Sequence, residues 1–115
     1  MPRGITRSEV DPDLPLFARR LKAARLSSGL SQERLGVAAG VDEFSASARI
    51  NQYERGKHTP DVLTAAHLAK ALKVPLAYFW AAEDDLAKLI LWYGQLNAKS
   101  RKTLLATADE LSQQE

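Results

Sequence analysis

Three glycines, Gly29, Gly40 and Gly56, punctuate the first half of the chain, and each stands where a run of apolar residues at helical spacing stops. Such punctuation admits short helices joined by tight turns and leaves no alternating stretch from which a strand could be built. Ahead of Gly29, Phe17, Leu21 and Ala24 recur on one face, and Arg19, Arg20 and Lys22 are expected to face water. Asp13 is the expected cap of this first helix, over about 14–28, because its carboxylate can accept from the orphan amides of the first turn. Pro15 is tolerated there, since its missing N–H loses nothing. Ser31 caps a second helix that turns Leu35 and Ala38 inward and ends at Gly40. In the segment Ser47 to Arg55, Ile50 and Tyr53 lie three apart on one face of a third short helix, closed by Gly56.

Thr59-Pro60-Asp61 combines a hydroxyl cap, a proline at the first helical position and a carboxylate near the positive end of the dipole. The stripe Val62, Ala65, Ala66, Ala69 and Leu72 then runs through a fourth helix over about 60–73 and stops before Pro75. A brief turn of helix, PLAYFW, leads to Leu86, Leu89, Ile90 and Tyr93 on a helix over 83–96, and Leu104, Ala108 and Leu111 mark a last helix over about 98–113. The expected fold is all-α: a compact bundle of about five short helices, with helices two and three as a helix-turn-helix, plus one or two C-terminal helices. The expected division is an N-terminal arm over 1–12, a helical domain over 13–82 and a C-terminal extension over 83–115.

Composition narrows the chemistry. The 115 residues are 45% hydrophobic and 26% charged, as in an ordinary globular domain, and contain no cysteine, which removes disulfide frameworks, thiolate chemistry and zinc-finger architectures. No apolar segment of signal-peptide or membrane-spanning length occurs, so a cytoplasmic protein without membrane partners is expected. His58 and His67 stand in different contexts, and no Ser-His-acid, paired-carboxylate, zinc-ligand or phosphate-loop pattern accompanies them. No catalytic residue, cofactor, metal or small-molecule effector is therefore expected. Residues 1–82 carry twelve Lys and Arg against eight Asp and Glu, and residues 83–115 carry four against six, a basic front and an acidic rear.

Short helix, Gly-containing turn and short helix inside an all-helical domain is the plan in which the second helix enters the DNA major groove. LSQERLGVAAGV, INQYERGKHTP and LAKALKVPLAYF, taken as an ordered set across about residues 14–80, closely resemble the Xre family, the phage repressor and Cro type of bacterial DNA-binding domain. The resemblance implies a transcriptional regulator, expected to be a bacterial or prophage repressor that binds double-stranded DNA half-sites as a homodimer. It also implies that Arg25, at the end of helix one, pairs with Glu54 of Tyr-Glu-x-Gly, a structural ion pair.

Residue chemistry stands beside the resemblance. With Ile50 and Tyr53 inward, Ser47, Ala48, Arg49, Asn51 and Gln52 lie on or beside the outward surface of helix three. Arg matches guanine bidentately, Asn or Gln matches adenine, and Ala can touch a thymine methyl. By composition alone a solvated polar face accounts for these side chains; within a helix-turn-helix they are expected to read bases. Ser31 and Gln32, at the start of helix two, are expected to hold a phosphate while Ser31 also caps, and Lys57 and His58 either reach the DNA backbone or form plain loop surface.

One departure from the family pattern stands out. Gly40 and Ile50 lie about four residues farther apart than in the resembled family, about one turn of helix. The extra residues either extend helix three backward or lengthen the loop as Asp42-Glu43-Phe44-Ser45. The loop is expected, because Ser47 makes a good cap and the longer helix would begin with Asp42 and Glu43 pointing toward phosphates. Phe44 would then either plug the loop into the core or rest on the DNA backbone, and the core is the expected place. At the rear, Trp80, Trp92 and Tyr93 either seal the last helices onto helices one and four or belong to a dimer interface. The rival function is a protein-interaction adaptor or antitoxin-like partner with weak DNA affinity, working through the rear helices.

Overall fold

The structure, a computed structural model, describes residues 11–115. Most of the expected N-terminal arm over 1–12, with Arg3 and Arg7, lies outside the described residues. Six α-helices follow in order: α1 (Leu16–Ser28), α2 (Gln32–Ala38), α3 (Glu43–Glu54), α4 (Val62–Leu72), α5 (Asp84–Gln95) and α6 (Ala98–Gln114). A short 3-10 turn, Leu76–Trp80, links α4 to α5, and the described residues contain no strand, as the all-α expectation requires.

Leu21, Leu35, Ile50, Leu68 and Phe79 lie at the fully buried centre, one side chain from each of the first four helices and one from the 3-10 turn. Each such side chain contributes roughly 1.5–3 kcal/mol of burial, so helices this short are held by packing and not by propensity. Phe17 joins this core through Phe79 and Trp80, with ring centroids 4.9 and 5.4 Å away. Tyr78 is buried beside them, and burial pushes its phenol above the ordinary value, so it stays neutral at physiological pH.

The expected start of α1 is corrected. Pro15 precedes Leu16 without a side-chain cap, and Asp13 instead receives its own backbone constraint from Asp11, whose carboxylate accepts the Asp13 N–H at 2.9 Å. Arg20 does not face water. Its guanidinium donates to the Ala81 carbonyl at 3.0 and 2.7 Å and meets Asp84 at 3.2 Å, stitching α1 to the start of α5. A buried cation is tolerated only when its N–H groups find acceptors, and these acceptors lie 61 to 64 residues away in the chain.

Ser31 caps α2 as expected by accepting from Arg34 N–H, and Leu35 is fully buried. The second inward residue is Ala39; Ala38 is exposed. Gly40, at φ 92°, adopts the left-handed conformation that turns the chain out of α2.

Helix α3 differs from the expected loop and short helix. Asp42 is its cap, accepting from Phe44 N–H at 3.1 Å, and Glu43 opens the helix, so Ser47 sits in the interior and the additional residues form one more helical turn. Two effects favour this. The carboxylates of Asp42 and Glu43 lie at the positive end of the α3 dipole, and Ala46 is completely buried against α2. A Cβ on Gly36 would lie 2.7 Å from the Ala46 Cβ, so the glycine is what lets the extra turn dock. Phe44, expected in the core, is 95% exposed because the added turn carries it to the outer side.

Helix α4 begins two residues later than expected, with Asp61 and not Thr59 as the cap. Asp61 accepts from Thr64 N–H at 2.8 Å, and that bond holds its carboxyl below the usual range. Val62, placed in the apolar stripe by periodicity, is exposed, and Leu68 takes the buried position. At the rear, Ala87 is buried and Gly94 rests against Pro75, where a Cβ would meet the ring at 2.8 Å. Trp92 does not seal anything, being 57% exposed, and no residue of α6 is buried.

Candidate nucleic-acid interface

Helices α2 and α3 meet through Gly36 and Ala46 and through Leu35 and Ile50, which presents the opposite side of α3 to solvent. Of the expected base-reading residues, Ser47, Ala48, Arg49 and Gln52 are exposed and Asn51 is half-buried. Because α3 starts at Glu43, its outward stripe is longer than the sequence pattern suggested. Phe44, Ala48, Asn51 with Gln52, and Arg55 follow at intervals of four, then three to four residues along it. Arg49 flanks this stripe one turn before Gln52, and Ser47 flanks the other side.

Two members of that stripe, Phe44 and Arg55, were not among the expected base-reading residues. The signal for Phe44 is a helical repeat that includes it only if the helix is begun at Asp42, whereas Arg55 stands one turn past Asn51 and Gln52 whichever cap is used.

Behind the stripe lies a hydrogen-bond cluster that aligns the two helices. Glu54, 3% exposed, accepts from the Arg25 guanidinium through both carboxylate oxygens, and Arg25 also donates to the Leu30 carbonyl at 3.1 Å. The ion pair implied by the resemblance is thus present as a bidentate contact. Gln32 Nε2 donates to Glu54 Oε1 at 3.1 Å and to Asn51 Oδ1 at 3.3 Å. The start of α2 is thereby tied to α3 at two points.

This arrangement refines what each residue offers a ligand. With both amide hydrogens of Gln32 directed to Asn51 and Glu54, the donors left at the start of α2 are the orphan backbone N–H groups and the Ser31 hydroxyl, whose oxygen already accepts from Arg34 N–H. Beside them runs an open concavity lined by Asp11, Leu14, Lys22, Arg25, Gln32, Asn51, Glu54, Arg55 and Lys57, four cations against two carboxylates, of which Glu54 is already paired with Arg25. Lys57 and His58 are exposed just past α3, and Lys22 and Arg55 add cations that the sequence pattern did not single out. Geometry therefore brings together a helix face with mixed hydrogen-bonding and apolar groups and a cationic rim, the combination that suits base edges flanked by phosphates.

A family model described as helix-turn-helix matches residues 21–79, more than half of the chain and all of α2 through α4. The chain belongs to the helix-turn-helix family. The resemblance to the Xre type is borne out at that level, and the matched span holds the α2–α3 pair, the Arg25–Glu54 contact and the outward stripe of α3. Among solved structures, this helix-turn-helix chain is similar to the crystal structure of transcriptional regulator BswR at 47% identity, with 85% of this chain and 98% of that one covered and a TM-score of 0.79. Among curated proteins none matches. No helix of the described residues is long and apolar enough to cross a membrane.

Proposed function

We propose that the protein is a sequence-specific DNA-binding transcriptional regulator, a bacterial or prophage repressor that acts in the cytoplasm and binds operator half-sites as a homodimer. The observation that carries this reading is the solvent-facing stripe of α3 beside the cation-lined start of α2, in a chain 47% identical to a transcriptional regulator. In this reading α3 lies in the major groove. Arg49 pairs with guanine O6 and N7, Gln52 and Asn51 address adenine, Ser47 accepts or donates at a base edge, and Ala48 touches a thymine methyl. Ser31, the α2 amides, Lys57 and His58, joined by Lys22 and Arg55, hold phosphates and set the register. A homodimer doubles the contacts across two-fold related half-sites, and occupancy at a promoter excludes polymerase.

Phe44 extends this reading by one turn. An exposed phenyl ring at the leading end of the groove-entering helix is suited to a thymine methyl group. Replacing Phe44 by Ala lowers operator affinity by about 5- to 20-fold while the melting temperature stays unchanged, because the ring touches no core residue. Deoxyuridine substitution at the contacted thymine, measured by fluorescence anisotropy, reproduces that loss in the parent chain and adds nothing to it in F44A.

The adaptor reading is favoured by one observation, the exposed leucines and Trp92 of α5 and α6. Selection of bound fragments from random and genomic DNA, repeated at several salt concentrations, separates the two. A regulator enriches a palindrome with half-sites spaced by about one helical turn, or about 34–36 Å, whereas no enriched motif at any salt concentration overturns the proposal and leaves the adaptor.

A further inference from the structure

Helix α5 has two apolar faces. Ala87 and Gly94 turn toward the body, while Leu86, Leu89, Trp92 and Tyr93 recur on the other side and remain between 37 and 57% exposed. A surface helix of a globular domain ordinarily carries a single apolar stripe, so the second face of α5 is surplus to the monomer. Helix α6 continues it with Leu104, Leu105, Ala108 and Leu111, of which Leu105 and Leu111 are more than half exposed. The arm is held at its elbow: the Arg101 guanidinium donates to the carbonyls of Tyr93 at 2.9 Å and Gly94 at 3.2 Å and lies over the Tyr93 ring.

The charges of α6 say what covers this face. Lys99, Arg101 and Lys102 stand in its first turns and Asp109, Glu110 and Glu115 toward its end, with no acidic residue in the first turn and no basic residue in the last. That order opposes the helix dipole, which favours anions at the amino end and cations at the carboxyl end. Nor do these charges pair along their own helix, since none of Lys99, Lys102, Asp109 and Glu110 has an opposite charge three or four residues away. A lone helix of this length without burial is marginal in water, and its charges weaken it further. An antiparallel copy of the same helix reverses every one of these terms. It sets basic half against acidic half and opposes the two dipoles. Lys102 and Asp109, seven residues or about two turns apart, flank the same side of the leucine stripe. In an isologous two-fold pair the Lys102 of each copy therefore meets the Asp109 of the other, and the contact occurs twice.

We propose that the outer face of the α5–α6 arm is where a second copy of this chain docks, with the two α6 helices antiparallel and Lys102 of one copy facing Asp109 of the other. The inference rests on the homodimer part of the proposed function and gives that dimer a place and a polarity. A self-complementary charge order is what an identical partner requires, and an unrelated partner has no need of it.

Analytical ultracentrifugation of the full chain, with circular dichroism as the check on folding, tests it. The parent chain sediments as a dimer. Lys102→Asp and Asp109→Lys each raise the dimer dissociation constant by about tenfold or more, because a reversal creates two like-charge contacts per dimer. The double variant K102D/D109K returns to within about threefold of the parent, since both contacts are rebuilt with exchanged sign. An equimolar mixture of the two single variants associates where neither does alone. A parent dimer indifferent to both reversals, or a double variant no better than the singles, overturns the antiparallel α6 contact while leaving the homodimer standing. A parent chain that stays monomeric at every concentration and occupies operator half-sites independently removes the homodimer and the proposal with it.

Discussion

Replacing Arg49 and Gln52 together by Ala abolishes discrimination between operator and random DNA while leaving the fold intact. Both side chains are exposed and neither belongs to the core cluster, so circular dichroism and melting temperature stay near those of the parent. Each bidentate base contact is worth about 1–3 kcal/mol of discrimination, so the pair accounts for a loss of roughly 30- to 10⁴-fold in operator affinity. Weak, strongly salt-dependent binding persists in the variant, because Ser31, the α2 amides, Lys22, Arg55 and Lys57 are untouched and phosphate contacts do not depend on sequence. Electrophoretic mobility shift with operator and scrambled duplexes reads both quantities. Discrimination retained at the parent level removes α3 as the reading helix.

Glu54→Ala has the opposite signature: a large loss of stability and a loss of DNA binding only in proportion to the fraction unfolded. Glu54 is buried and accepts from Arg25 twice and from Gln32 once, so truncation strands the Arg25 guanidinium, whose side chain is itself 13% exposed. Removing one partner of a buried ion pair costs about 3–5 kcal/mol, chiefly as the penalty of the uncompensated charge left behind. For a domain of this size that lowers the melting temperature by more than about 10 °C, with full specificity recovered wherever the chain remains folded. Glu54→Gln keeps an acceptor for Arg25 and the packing volume, and falls between the parent and Glu54→Ala. A melting temperature within about 2 °C of the parent for Glu54→Ala shows that the pair does not hold α1 to α3. The two experiments together separate the outward face of α3 from its inward one: the first variant loses specificity without stability, the second stability without specificity.

Much of this architecture was legible because it is local. Ser31 before a glutamine and a leucine predicts a cap and a buried Leu35, and Ile50 with Tyr53 predicts the inward face of α3, since cap chemistry and the 3.6-residue period act within one or two turns. The Arg25–Glu54 contact became legible only through resemblance, for nothing in the spacing of two residues 29 apart dictates that they meet. Where α3 begins was not decided locally at all. Asp42 and Ser47 are both acceptable caps. The choice falls to the space above Gly36, into which Ala46 fits, and no periodicity reports a missing Cβ on a neighbouring helix. Phe44 followed that choice outward.

Arg20 and α6 mark the same boundary. On a helical wheel Arg20 is a cation among polar neighbours, yet the Ala81 carbonyl waits for it across the fold. Helix α6 reads as an ordinary amphipathic helix, and only the tertiary structure reveals that none of its residues is buried against the body. What the sequence by itself determined is the set of helices, inward residues such as Leu21, Leu35, Ile50 and Tyr53, and the helix-turn-helix plan, because glycine stops and apolar periods are properties of adjacent residues. Only the tertiary structure decided the length of α3, the exposure of Phe44, the burial of Arg20 and the surplus apolar face of α5 and α6, because each depends on atoms brought together from distant parts of the chain.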